Sequence, residues 1–284
     1  MNLAAAPAPV ETGAFSPLAL GLTRGGEAVP AFLACAAPSW ARAVEARRGD
    51  VLHENELRTY EGLRFERRRD EFLLGRFVAK VALGEYLGER DWATLEVVNG
   101  IFQQPLVRHE RVPGEPGPPG FPWTPSTRSG NPRVGSSLAA VCLTHSGGAA
   151  AAVAFPAAHP LAIDLERLEP DRLGTLQTQV SLAEVDTATL SPDEALRRVT
   201  QLWTAKEALS KVLRCGLTTP FEVLAVESVV FRNGSAEGRF RNFGQYRFES
   251  SIVGGFAFAI VLPRKSSLGA GVAAWLAERL EAEP

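Results

Sequence analysis

Two short stretches hold most of the side chains that could do chemistry together. In the first, Leu161, Ile163 and Leu165 alternate with Ala162, Asp164 and Glu166. Period-two alternation predicts a strand with one face turned to a core. Asp164 and Glu166 would then point to the opposite, solvated side, about 7 Å apart along the chain. Two carboxylates held that way can share one hard cation, because such ions take oxygen ligands. The second stretch runs from Leu202 to Lys211, and no Pro or Gly falls between Ala195 and Arg214. Its spacing predicts a helix with Trp203, Glu207, Lys211 and Arg214 along one face and Leu202, Leu209 and Leu213 along another. Glu207, four residues before Lys211, is in the favourable order for a helical ion pair. Taken singly, each feature is ordinary surface chemistry: a solvated acidic strand face and a Glu/Lys pair.

Their combination is more specific. Ile163-Asp164-Leu165-Glu166, followed about forty residues later by Trp203-Thr204-Ala205-Lys206-Glu207-Ala208-Leu209-Ser210-Lys211, resembles the paired motif of the 4′-phosphopantetheinyl transferases. The likeness is to the larger single-chain type, typified by the surfactin-synthetase activator. One departure is Ala162, where that family usually has Gly. Alanine is the smallest alternative, so a tighter strand contact is expected there.

The elements that must position these residues can be read in turn. A 284-residue chain with 45% hydrophobic residues can bury a sizeable core. The formal charge of −2 and a pI near 6.2 do not suggest a nucleic-acid binder. Cys35, Cys142 and Cys215 form neither a metal spacing nor an even disulfide framework, which fits a reducing compartment. The Ala/Pro-rich start lacks the basic region of a secretory signal, and no apolar run approaches membrane-spanning length. A soluble, cytoplasmic monomer is expected, without nucleic-acid or membrane partners.

In the N-terminal half, Leu18 to Leu22 reads as a first strand and Glu54 onward as helix. The segment from Asp70 to Leu87 is the main helix, stopped by Gly88, with Leu73, Phe77 and Val81 toward the core and Arg76 and Lys80 on a neighbouring face. Arg64, Arg67, Arg68 and Arg69 form a local cationic cluster. Residues 108–136 are rich in Pro and Gly and read as an insertion loop. Leu138–Thr144 and Ala149–Phe155 read as strands around the turn Thr144-His145-Ser146-Gly147-Gly148. In the C-terminal half, Ser191 followed by Pro192 is a helix start, and Gly216 is the expected stop. Strand pairs follow around Asn233-Gly234 and Gly254-Gly255, and Gly269–Glu283 reads as a terminal amphipathic helix.

The resemblance implies an α+β fold, a pseudo-dimer of two similar halves that each set a helix on a small antiparallel sheet. The halves would be 1–158 and 159–284; self-similarity in the sequence does not by itself establish a repeat. It also implies transfer of 4′-phosphopantetheine from coenzyme A to a serine of an apo acyl- or peptidyl-carrier protein. Under it, Asp164, Glu166 and Glu207 would hold Mg²⁺, and Glu207 and Lys211 would be catalytic. Arg76, Lys80, Gln104, Thr144, His145 and Lys211 would contact coenzyme A, although Gln104 stands where many members have a lysine. The arginine cluster would meet an acidic carrier helix. A metal-dependent phosphohydrolase and a non-catalytic carrier-binding domain are the alternatives.

Overall fold

The computed structural model describes residues 15–109 and 139–282. Most of the expected insertion at 108–136, with Phe121 and Trp123, lies outside the described residues.

Short elements open the chain: β1 (Leu18–Ala19), β2 (Thr23–Arg24), β3 (Glu27–Ala28), β4 (Phe32–Ala36), then helices α1 (Ala41–Glu45), α2 (Arg48–Val51) and α3 (Glu54–Gly62). The first long helix, α4 (Glu66–Leu87), leads to the hairpin β5 (Leu95–Asn99) and β6 (Pro105–His109), then β7 (Ala139–Ser146) and β8 (Ala149–Pro156). The second half runs β9 (Ala162–Arg167), α5 (Leu173–Gln177), α6 (Pro192–Leu213), β10 (Val226–Arg232), β11 (Ser235–Phe240), β12 (Tyr246–Val253), β13 (Phe256–Pro263), β14 (Ser266–Ser267) and α7 (Val272–Glu281). The fold is α+β. Among the described residues no helix is long and apolar enough to cross a membrane.

Helices α4 and α6 are both 22 residues long. Helix α4 stops at Gly88, which takes φ 68°, a left-handed conformation that costs a glycine little. Helix α6 starts as its sequence predicts: Ser191 Oγ accepts the Glu194 N–H at 3.3 Å, and Pro192 fills a first-turn site needing no N–H. Its end differs from expectation. Arg214, not Gly216, makes the turn, at φ 55°, and the N–H groups of Arg214 and Cys215 return to the carbonyls of Lys211 and Ser210. Closing those carbonyls offsets the strain of a left-handed arginine.

Two antiparallel sheets carry these helices. The four-stranded sheet has order β1-β4-β8-β7 and packs on α4; the five-stranded sheet has order β10-β11-β12-β13-β9 and packs on α6. One core lies under α4, with Leu73, Phe77 and Ala152, and another under α6, with Leu202, Phe240 and Phe248. A third mixes Leu33 and Val153 of the first sheet with Ile163 and Phe258 of the second, beneath Leu276 of α7. The halves therefore share a core.

They also share connectivity. In each, the strand that precedes the long helix pairs antiparallel with the second strand of the glycine-turned hairpin (β4 with β8, β9 with β13), and the first strand of that hairpin flanks it on the other side (β7, β12). The closing hairpins turn on Gly147-Gly148 (φ 55° and 83°) and Gly254-Gly255 (φ 52° and 79°). Gly147, Gly148, Ala150, Ala152 and Pro156 recur as Gly254, Gly255, Ala257, Ala259 and Pro263.

Each long helix also buries a lysine against a glutamate. Lys80 Nζ meets Glu56 and donates to the Val51 carbonyl at 2.6 Å; Lys206 Nζ meets Glu184 at 2.8 Å and donates to the Gln179 carbonyl at 2.8 Å. Glu56 accepts the His53 and Val97 N–H groups, and Glu184 accepts those of Ser181 and Val226. Matched through strand register and these lysines, Ala34, Ala36 and Val81 stand where the second half has Asp164, Glu166 and Glu207. Only the second half has the acids.

Candidate metal centre at the junction of the halves

Strands β7 and β9 are edge strands of the two sheets and lie side by side. An edge strand leaves alternate N–H groups unpaired. Here side chains of β7 supply the acceptors. Cys142 Sγ faces the Ile163 N–H at 3.5 Å, Thr144 Oγ1 accepts from Leu165 at 3.2 Å, and Ser146 Oγ accepts from Arg167 at 3.0 Å. The two hydroxyls then donate onward, Thr144 to Asp164 Oδ1 at 2.8 Å and Ser146 to Glu166 Oε2 at 3.0 Å. The first half thus sets the carboxylates of the second.

Helix α6 covers that strand face. It brings Glu207 close enough that one carboxylate oxygen each from Asp164, Glu166 and Glu207 lie within 4.8 Å of one another. The acidic face is therefore not the solvated one expected from the alternation: Asp164 is only 2% exposed. Lys211, one turn on from Glu207, pairs with Asp164 Oδ1 at 2.6 Å rather than with Glu207. Its ammonium also donates to the carbonyls of Leu143 and Ile163, both at 3.3 Å. Those three bonds use all three ammonium donors. Arg172, just after β9, donates to Glu166 Oε2 at 2.9 Å.

The electrostatics are those of a site built for a cation. Three carboxyl groups face two cationic side chains, Lys211 and Arg172, in a mostly buried place, so ionising all three together would leave an excess of negative charge. Asp164 Oδ2 is buried and receives no hydrogen bond from the described residues. Burial, and then the charge of Asp164, push the Glu207 carboxyl up to about 9. Burial works against the Lys211 charge, but Asp164, Cys142 and Glu207 outweigh it and hold the ammonium above lysine's ordinary range. A hard divalent ion fits this donor set: it would satisfy Asp164 Oδ2 and let Glu207 ionise.

A groove of about 590 Å³ opens beside the cluster, lined by Gln104, Leu106, Cys142, Leu161, Glu207 and Lys211 among others. Other residues expected at the ligand are placed variously. Gln104 lines the groove, but its side-chain carbonyl accepts the Phe102 N–H within its own turn at 2.9 Å. Thr144 is buried with its hydroxyl spent on Asp164 and Leu165, so it orients Asp164 rather than facing open space. His145, the next residue along β7, is exposed and near Glu71. Arg76 lies over the Phe72 ring, with Nε 3.2 Å from Glu56.

Lys80 departs from the expectation. It is fully buried, and Glu56 and Val51 take its ammonium. Lys80→Met should accordingly cost stability, approaching about 3–5 kcal/mol for a broken buried pair, with Arg76 softening the loss. Denaturant unfolding checks this, while the folded fraction should bind coenzyme A like the wild type. Arg172, Ser146 and Glu184 escaped the sequence reading, because their partners lie on other elements and no local spacing marks them.

Residues 160–261 match the family model for the 4′-phosphopantetheinyl transferase superfamily. The matched segment is about a third of the chain. No curated protein matches the chain. The superfamily segment spans β9 to most of β13 and so holds all three acids with Lys206 and Lys211, whereas Arg76, Gln104, Thr144 and His145 precede it. Asp164 and Glu166 of the matched segment are held from outside it, by the hydroxyls of β7.

Proposed function

We propose that this protein transfers 4′-phosphopantetheine from coenzyme A to a serine of an apo acyl- or peptidyl-carrier protein, releasing adenosine 3′,5′-bisphosphate. The observation that carries the reading is the clustering of Asp164, Glu166 and Glu207 inside the matched segment, beside a groove that Glu207 lines. The shared connectivity supports a pseudo-dimer with halves at 1–158 and 159–284; the reading takes the protein as the larger single-chain type, a cytoplasmic monomer.

Asp164, Glu166 and Glu207 would hold the ion, with Mg²⁺ the hard cation of choice. When bound, the ion would neutralise charge on the diphosphate. The chain's own residues do the rest. Glu207 takes the proton from the carrier serine as its oxygen attacks the phosphorus and the bond to the nucleotide phosphate breaks. Lys211 has no N–H to spare, so its contribution is a fixed positive charge that holds Asp164 and favours the anionic leaving group. His145, Arg76 and Gln104 are the candidates for the nucleotide end. Exposed Arg67 and Arg68, which share Glu71, offer an acidic carrier helix a cationic surface with Arg64.

Mass spectrometry of several apo-carriers incubated with the protein, coenzyme A and Mg²⁺ tests the reading. The expected result is a gain of one phosphopantetheine on at least one carrier. Free phosphopantetheine released without any carrier would point instead to a phosphohydrolase.

A further inference from the structure

We infer that Ser146 and Arg172 are positioning residues that fix Glu166 as a ligand, the counterpart for that carboxylate of what Thr144 and Lys211 do for Asp164. The inference rests on reading the three acids as a metal site and adds who orients them.

The two carboxylates are held in parallel fashion. Asp164 Oδ1 accepts one hydroxyl of β7, from Thr144 at 2.8 Å, and one cation, Lys211, at 2.6 Å. Glu166 Oε2 accepts the next hydroxyl of β7, from Ser146 at 3.0 Å, and one cation, Arg172, at 2.9 Å. Each pair of donors saturates one oxygen and leaves the other: Asp164 Oδ2, buried and unbonded, and Glu166 Oε1, which no described donor reaches. Glu166 has one more rotatable bond than Asp164, so it has more freedom to lose and more need of a clamp.

An exposed ion pair is usually worth little, and Arg172 is 40% exposed. Two features set this one apart. Glu166 is only 14% exposed, and both its donors come from outside β9 and converge on the same oxygen. The two effects of Arg172 on a bound cation also have opposite signs. Its charge alone would repel the ion, whereas orienting Glu166 would favour it. Solvent screens the charge, and the orientation survives screening, so orientation wins.

The test is binding of Mn²⁺ alone to the full-length chain, followed by the electron paramagnetic resonance of the free ion. Wild type is expected to bind one equivalent. Arg172→Ala and Ser146→Ala should each weaken binding by about ten- to a hundredfold, the usual effect of losing a partner that orients a ligand. Ser146→Thr, which repeats the residue already used at Thr144, should stay within about twofold of wild type. Melting curves check that the variants fold; Ser146→Ala keeps the test open should Arg172→Ala fail to. Unchanged or tighter binding in the folded alanine variants would overturn the clamp and leave the metal site standing. No binding by the wild type would overturn the site itself.

Discussion

Glu207→Gln is expected to bind coenzyme A within about tenfold of wild type, a difference near 1.4 kcal/mol, and to lose at least about a hundredfold in transfer rate. The variant keeps the shape of the side chain and one carbonyl oxygen, while Asp164 and Glu166 remain to hold an ion. What it loses is the ability to accept a proton. Calorimetry with coenzyme A and Mg²⁺, beside a single-turnover assay on an apo-carrier, reads both quantities. An equal fall in binding and rate would make Glu207 a ligand only, and no change in either would remove it from the site.

The same substitution has a signature in stability. With its carboxyl held near 9 in the folded chain, against an ordinary value of 4.5, Glu207 keeps a proton that the unfolded chain releases. Without a metal, the folded state is therefore favoured less and less as pH climbs from about 4.5 to about 9. A glutamine amide at this position does not titrate, so Glu207→Gln melted in chelator should show a flatter profile across that window. Added divalent ion should flatten the wild-type profile too, because the ion replaces the proton.

Local chemistry was readable where a residue's neighbours in sequence decide its state. Ser191-Pro192 starts α6 and Gly88 ends α4, as capping physics requires. The alternation of residues 161–166 likewise grouped Asp164 with Glu166, because side-chain direction in a strand is local. It could not show that α6 would cover that face, which is a tertiary fact, and so Asp164 looked solvated. Lys80 misled for a related reason. A lysine four residues after Arg76 looks like a second surface cation, and only the fold reveals Glu56 beneath it.

The shared connectivity of the two halves was legible only in part. Gly147-Gly148 and Gly254-Gly255 are visible as turns, but the matched alanines are generic strand residues without the register that aligns them. Once aligned by register, the halves differ at the acidic positions. Both halves retain the buried Lys–Glu pair that ties helix to sheet, while only the second carries acids at the positions of Ala34, Ala36 and Val81.

Asp164→Asn should be more damaging to metal binding than its conservative size suggests. Thr144 and Lys211 are both donors aimed at Oδ1, so that position must remain an oxygen. The amide nitrogen is then forced into the place of Oδ2, where its hydrogens point at the spot a cation should occupy. Loss of a partner that merely orients a ligand costs about 10–100-fold, so this change should weaken metal binding by more than about a hundredfold and transfer by at least as much. The fold should survive, because both contacts to Oδ1 are kept. Asp164→Ala is expected to lose stability as well, since it strands Lys211. That loss should stay below the roughly 3–5 kcal/mol of a fully buried broken pair, because Lys211 is 30% exposed and Glu207 can ionise in Asp164's stead. Metal titration and melting curves on the two variants separate these effects. Wild-type metal affinity in Asp164→Asn would mean that Oδ2 faces no ion, and that the buried acids of this junction serve only to join its two halves.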